Sequence, residues 1–322
     1  MHDGTAPRAA DPELLEPSVR AIVARLVDRT VPIDDAVYVR ALRENRENPF
    51  GRPGPGLASV ADVIVAAPDG RPIACRLYRA RLDAFAPTLV WFHGGDFVFG
   101  SLETHDAQMR TLASLGACNV LAVDYRLAPE APYPAAIEDA YAVLVTVGRD
   151  PARFGTTGSQ VAIGGDSAGG NIATVTTMVA RDRGGPPIAL QVLVYPDADA
   201  RAGLNRASWR AYDGFVLERT EKDRILAMYL PHVDRTSPYV SPALASLAAL
   251  RDLPRALVVT AGCDPQRDEA EDYVGRLRSA GVSVAATRYA GMIHGFMRMD
   301  GALASGRDVL VQIAEAVRSL GL

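Results

Sequence analysis

From Ser59 to the C-terminus, short apolar runs alternate with helical patterns, and this alternation limits the fold more than any other feature. The runs are Val60–Ala66, Ile73–Tyr78, Thr88–Phe92, Val120–Val123, Val161–Ile163, Leu190–Tyr195, Leu257–Thr260 and Val282–Tyr289. Short β-rich apolar runs of this kind suit parallel strands buried on both faces. Helical patterns fall between them, at about His105–Leu115, Ala135–Val147, Ala168–Arg181 and Arg267–Ala280, with a last one at about Gly306–Leu320. Repeated βα units predict an α/β fold with a doubly wound, mostly parallel sheet of eight strands flanked by helices. A turn at Pro68, Asp69 and Gly70 links the first two strands as a hairpin.

Two segments stand outside this rhythm. In the first ~45 residues Val19, Ile22, Val23, Leu26 and Val27 recur at helical spacing. A Pro/Gly-rich break at Asn48–Gly56 then marks a hinge. Between Pro196 and Pro254 there is no strand pattern, only helical pieces and the aromatic residues Trp209, Tyr212, Phe215, Tyr229 and Tyr239. An insertion after a strand lies over the sheet edge where α/β proteins bind ligands. The expected organisation is therefore a core of residues 51–322 under a helical cap. The cap comprises an N-terminal arm, residues 1–50, and an insertion at about 197–240. Trp209 and Phe215 are the candidates for contacting substrate.

The glycines point to the chemistry. The strand Val161–Ile163 runs through Gly164, Gly165 and Asp166 to Ser167, and Ala168, Gly169 and Gly170 open a helix. Gly-x-Ser-x-Gly between strand and helix is a nucleophile elbow. The residues two before and two after the serine must lack bulk so that the backbones can pass. The turn lifts the hydroxyl above the sheet, and the helix N-terminus faces the developing oxyanion. Strand Thr88–Phe92 ends in His93, Gly94, Gly95, Asp96 and Phe97. A glycine-rich loop there supplies backbone N–H donors beside that of the residue after the nucleophile. The oxyanion donors expected are Gly95, Asp96 and Ala168, with Gly94 as a further candidate. His93 is expected to orient the loop through a hydrogen bond.

In hydrolases built on this elbow the chain order is serine, acid, histidine. Of the five histidines only His294 follows the late strands, in a loop after Val282–Tyr289, and it is the expected base. Strand Leu257–Thr260 ends at Asp264, the expected acid. Asp268 lies one helical turn further on and is the alternative, its charge otherwise suiting a helix start. The carboxylate's task is to hold the imidazole tautomer and stabilise the imidazolium.

Composition removes other chemistries. Net charge is −4 with no basic stripe, so a nucleic-acid partner is not expected. There is no run of about 18 apolar residues to span a membrane, and the N-terminus carries no apolar signal region. Cys75, Cys118 and Cys263 are too few and too widely spaced for a disulfide framework or a zinc site. A cytoplasmic protein without metal, cofactor or membrane partner is expected. Of 34 basic residues only Lys222 is a lysine, so Schiff-base, P-loop or Ser-Lys chemistry would rest on it alone. It sits in the charged stretch Glu218–Arg224, expected to be a solvated helix face whose lysine activity does not need.

With these residues in place the chain resembles the bacterial hormone-sensitive-lipase-like esterases of the α/β-hydrolase superfamily. Four blocks carry the resemblance: His93–Phe97, Asp124–Glu130, Gly165–Gly170, and Asp264–Asp268 with His294, Gly295 and Phe296. Together they reach from about Pro87 to the C-terminus. The resemblance implies the α/β-hydrolase fold and hydrolysis of short- to medium-chain carboxylic esters through an acyl-enzyme on Ser167. It supports Asp264 as the acid and implies a homodimer through the edge of the last strand. Amidases, acyltransferases and non-catalytic ligand-binding proteins share this framework, and the sequence leaves them open.

One position departs from the family. The family usually has a third glycine where this chain has Asp96. A carboxylate about 5 Å from the oxyanion, at an effective dielectric near 20, would cost roughly 3 kcal/mol, about what one oxyanion donor supplies. The side chain of Asp96 is therefore expected to point away from the nucleophile and to bond loop amides or a neighbouring side chain.

Overall fold

The computed structural model describes residues 15–26, 34–44, 48–83, 85–201 and 206–321. Val27, the last position of the expected N-terminal helical pattern, lies outside them. Among the described residues there are eight strands, β1 (Ser59–Ala66), β2 (Pro72–Arg79), β3 (Thr88–Phe92), β4 (Asn119–Val123), β5 (Val161–Asp166), β6 (Leu190–Val194), β7 (Ala256–Ala261) and β8 (Val284–Tyr289). They form one sheet in the order β1-β2-β4-β3-β5-β6-β7-β8. The hairpin β1–β2 is antiparallel and so is the β2–β4 pair; every later pair is parallel.

Two layers of helix cover the sheet. Helices α3 (Leu102–Gly116) and α10 (Ala304–Arg318) bury their apolar stripes on one face. On the other lie α4 (Ala135–Arg149), α5 (Ala168–Asp182) and α9 (Arg267–Ser279). Side chains of a strand point alternately to its two faces. Val90 and Phe92 of β3 accordingly join one core, and Leu89 and Trp91 the other. In β3 to β7 both faces are buried, which is why these strands show no polar alternation in the sequence.

The remaining helices are α1 (Pro17–Leu26), α2 (Asp35–Glu44), α6 (Ala207–Tyr212), α7 (Arg219–Tyr229) and the single turn α8 (Leu247–Leu250). The arm is anchored by buried Val19, Ile22 and Val23 of α1 and Tyr38 and Val39 of α2. No helix among the described residues is long and apolar enough to cross a membrane. From β3 the chain first adds β4 on one side and then β5 on the other. Strand order therefore reverses between β3 and β5, where an open α/β sheet leaves a crevice beyond the strand ends.

Candidate active site

The crevice is lined by the segments that leave β3 and β5. Ser167 sits at the turn from β5 into α5 with φ 54° and ψ −123°, a left-handed conformation that a non-glycine residue rarely adopts. The turn is sharp because the backbones touch. A Cβ on Gly165 would meet the Gly169 carbonyl oxygen at 2.3 Å, and one on Gly169 would meet that of Phe92 at 2.0 Å. Both elbow glycines are thus demanded by close approach. The Ser167 N–H is held by the Val194 carbonyl at 2.9 Å.

Loops after β7 and β8 run side by side, with the Cys263 N–H on the Met292 carbonyl at 2.8 Å. They bring Asp264 and His294 to the serine. His294 Nδ1–H donates to Asp264 Oδ2 at 2.7 Å, and the Ser167 hydroxyl lies 2.8 Å from His294 Nε2. Since a carboxylate can only accept, the proton of neutral His294 is on Nδ1. Nε2 then carries the lone pair that accepts from Ser167. Asp264, fully buried, takes its second bond from the Gln266 N–H at 2.8 Å. Burial works to depress the His294 pKa, but the charge and hydrogen bond of Asp264, with Asp96 adding, hold it above 6.5. Asp268 serves elsewhere: it accepts from the Ser208 N–H at 2.9 Å and from Arg267, pinning α6 to the start of α9.

The oxyanion donors divide by what they already bond. The Gly94 N–H is taken by Asp166 Oδ1 at 3.0 Å, so it is not available to an oxyanion. Gly95, Asp96 and Ala168 are left. Ala168 is the first residue of α5 and has no intrahelical acceptor for its N–H. Asp166 also pairs with His105 Nε2 at 3.2 Å, so its buried carboxylate straps the elbow strand to the oxyanion loop. Asp166 is not among the site residues expected from the sequence; its trace there is an acid inside a run of glycines on a buried strand. His93 acts as a strut: its Nδ1–H donates to the Gly94 carbonyl at 2.9 Å and its ring stacks on Tyr125 with centroids 4.3 Å apart.

Asp96 and Phe97 both lie in the left-handed region, at φ 50° and 65°. This explains the usual glycine at position 96: aspartate tolerates such a backbone better than most side chains. Phe97 is held there by stacking on Tyr229, with centroids 3.9 Å apart. The Asp96 carboxylate accepts from Lys222 Nζ at 3.0 Å. Lys222 is therefore not on a solvated face. It is buried with Ile225, Leu226 and Tyr229, three, four and seven residues on, which share the inward stripe of α7. The alternating charges of Glu218–Arg224 hide this, because Lys222 finds its carboxylates on other segments, at Asp96 and Asp197.

A cavity of about 400 Å³ opens above Ser167 and His294, within the usual range for small-molecule sites. Tyr38 and Leu42 of α2, Phe50, and Ile225 of α7 are among its walls, with Val216 and Leu217. Trp209 and Phe215 do not line it. Phe215 follows the left-handed turn at Gly214 and packs inward, 6.0 Å from the Tyr212 ring. Trp209 is buried behind α7 beside Arg219, near a much smaller hollow. The sequence located the wall segment but misjudged which side chains face the cavity. Among the described residues no group of three His, Cys, Asp or Glu side chains is placed to hold a metal ion.

His294 can take the Ser167 proton while N–H donors wait beside the nucleophile for an oxyanion, and this is the chemistry of the serine hydrolases. A family model described as alpha/beta hydrolase fold matches residues 89–298. The chain belongs to this family, in its hormone-sensitive-lipase-like branch. It is 37% identical over 321 residues to carboxylic ester hydrolase LipN of Mycobacterium tuberculosis, covering 95% of this chain and 84% of that protein. It is 34% identical to ethyl acetate hydrolase of Pseudomonas putida, covering 80% and 82%. The hyperthermophilic esterase of Pyrobaculum calidifontis superposes with a TM-score of 0.87 at 38% identity, over 95% of this chain and 99% of that one.

Proposed function

We propose that this protein is a serine carboxylesterase that hydrolyses short- to medium-chain carboxylic esters through an acyl-enzyme on Ser167. The observation that carries this is the line Ser167 Oγ, His294 Nε2, His294 Nδ1, Asp264 Oδ2, with both bonds under 3 Å. His294 removes the hydroxyl proton as Ser167 attacks the ester carbonyl. The N–H groups of Gly95, Asp96 and Ala168 receive the oxyanion. His294 then protonates the departing alcohol, and water cleaves the acyl-enzyme by the same steps in reverse roles. Asp264 keeps the imidazole in the productive tautomer throughout. The described residues of the N-terminal arm and of the insertion after β6 act as one cap over the acyl group, with Tyr38, Leu42, Phe50, Val216, Leu217 and Ile225 in its wall. The cavity volume and the small ester named for the Pseudomonas relative favour short acyl chains.

The test is a panel of p-nitrophenyl esters from acetate to laurate, with the matching anilides. Turnover is expected on the shorter esters and to vanish in Ser167→Ala. A fluorophosphonate should label the wild type and not the variant. Persistent turnover or labelling in Ser167→Ala would overturn the assignment.

A further inference from the structure

Lys222, the single lysine of the chain, has a placement that its role in the fold does not explain. Its ammonium is almost wholly buried and bonds two carboxylates. One is Asp96, on the oxyanion loop, at 3.0 Å. The other is Asp197, just beyond β6. The Asp197 N–H in turn donates to the Ser167 carbonyl at 3.2 Å, and its own carbonyl accepts from Asn171 of α5 at 2.8 Å. The two halves of the oxyanion cradle come from different segments: Gly95 and Asp96 after β3, Ala168 after β5. One ammonium from α7 is bonded to the first half directly and to the second through Asp197.

The electrostatics point the same way. An unpaired Asp96 carboxylate on the cavity wall would oppose the negative charge that develops on the oxyanion. Lys222 supplies the compensating charge. At His294 the two act in opposition, Asp96 favouring the protonated imidazole and Lys222 disfavouring it. The substitution of glycine by aspartate and the buried lysine thus form one device.

We propose that Lys222 is a positioning residue of the esterase: it neutralises Asp96 and locks the oxyanion loop to the nucleophile elbow, so that α7 must be seated for the oxyanion cradle to be complete. The inference rests on the esterase function proposed above. It assigns the cap a part in transition-state stabilisation, besides walling the cavity.

A double-mutant cycle tests it. Lys222→Met leaves Asp96 uncompensated and should lower kcat on the order of 10²-fold, the size of one oxyanion interaction, with KM changed less than about threefold. Asp96→Asn alone weakens the lock on the loop but leaves no uncompensated charge, so it should lower kcat on the order of tenfold, less than Lys222→Met does. In the Lys222→Met background, Asp96→Asn should restore kcat at least about tenfold. The acid limb of kcat/KM should move to higher pH in Lys222→Met and return in the double variant. A purely structural lysine predicts otherwise: lowered stability, no rescue by Asp96→Asn and an unmoved pH limb, and this result would overturn the proposal. Should Lys222→Met fail to fold, Lys222→Arg decides. It retains the charge but not the compact ammonium, so it should keep kcat within about tenfold and leave the pH limb in place; a shifted limb in Lys222→Arg would count against the proposal. Wild-type labelling by fluorophosphonate separates the two levels. An unlabelled, inactive wild type defeats the esterase assignment itself, whereas an active wild type with an additive cycle defeats only the role of Lys222.

Discussion

Gly169→Ala probes how closely the elbow must seat against the strand that carries the oxyanion loop. The new Cβ would stand 2.0 Å from the Phe92 carbonyl oxygen and 2.7 Å from that of His93. Ordinary contact begins near 3.4 Å, so the two segments must part by about 1.4 Å. Neither neighbour can yield by a rotamer change, because both are backbone at the end of β3. Overpacking a tight site costs typically 1–3 kcal/mol, and with two backbone clashes the upper end is expected, about 3 kcal/mol. The displacement falls between Ala168 and the Gly95–Asp96 donors. A misplacement of about 1 Å in catalytic geometry costs on the order of 10²-fold. We expect kcat on p-nitrophenyl butyrate to fall on that order, KM to change little, and the urea midpoint to drop. Gly275→Ala is the control: this exposed glycine lies mid-way along α9 with nothing within 4 Å of its would-be Cβ. That variant should gain about 0.5–1 kcal/mol of stability with unchanged kcat. Wild-type kcat in a folded Gly169→Ala protein would refute the close-approach reasoning.

Asp264→Asn should lower kcat by on the order of 10²–10⁴-fold, because the imidazole loses its tautomer anchor. Asp268→Asn should leave kcat within a few-fold and cost about 1–2 kcal/mol of stability, through the loosened α6–α9 contact; steady-state kinetics and urea titration of both variants check this, and the opposite ranking would show the acid to be misassigned. The pH dependence divides by sign. His294 must be neutral to accept the serine proton, so kcat/KM should fall as pH drops through its raised pKa, above 6.5. Asp264→Asn should move that limb to lower pH. The stability His294 contributes is fully present below about pH 6.5 and is lost as pH rises through the folded pKa. His93, driven by burial down to about 3, and His105, also depressed by burial, behave oppositely. They should remove up to about 1.4 kcal/mol per pH unit each as pH falls below about 6.5. Urea midpoints measured from pH 6.5 to 5, where the His294 contribution is constant, should decline, and a midpoint that holds or rises there would contradict the buried neutral state of these histidines.

What the sequence determined by itself was everything local or periodic. Strand runs, helical stripes and the glycine spacing around Ser167 are short-range patterns, set by alternation of faces and by backbone clearance, and they located all eight strands within two or three residues. The order serine, Asp264, His294 followed because each ends or closely follows a predicted strand. Three matters were decided only by tertiary structure. The first is direction: β2 lies antiparallel against β4, a pairing between segments some forty residues apart. The second is which cap side chains face the cavity. Trp209 and Phe215 lie on a six-residue helix and a glycine turn, too short for periodicity to orient them, and both pack into the protein away from the cavity. The third is the partner of a charge. Lys222 sits among alternating charges that look self-satisfied along one helix, yet its carboxylates lie 126 and 25 residues away. Long-range pairing leaves no periodic trace in the chain, because a buried ion is stabilised by whichever opposite charge the fold brings within about 3 Å, whatever its place in the sequence.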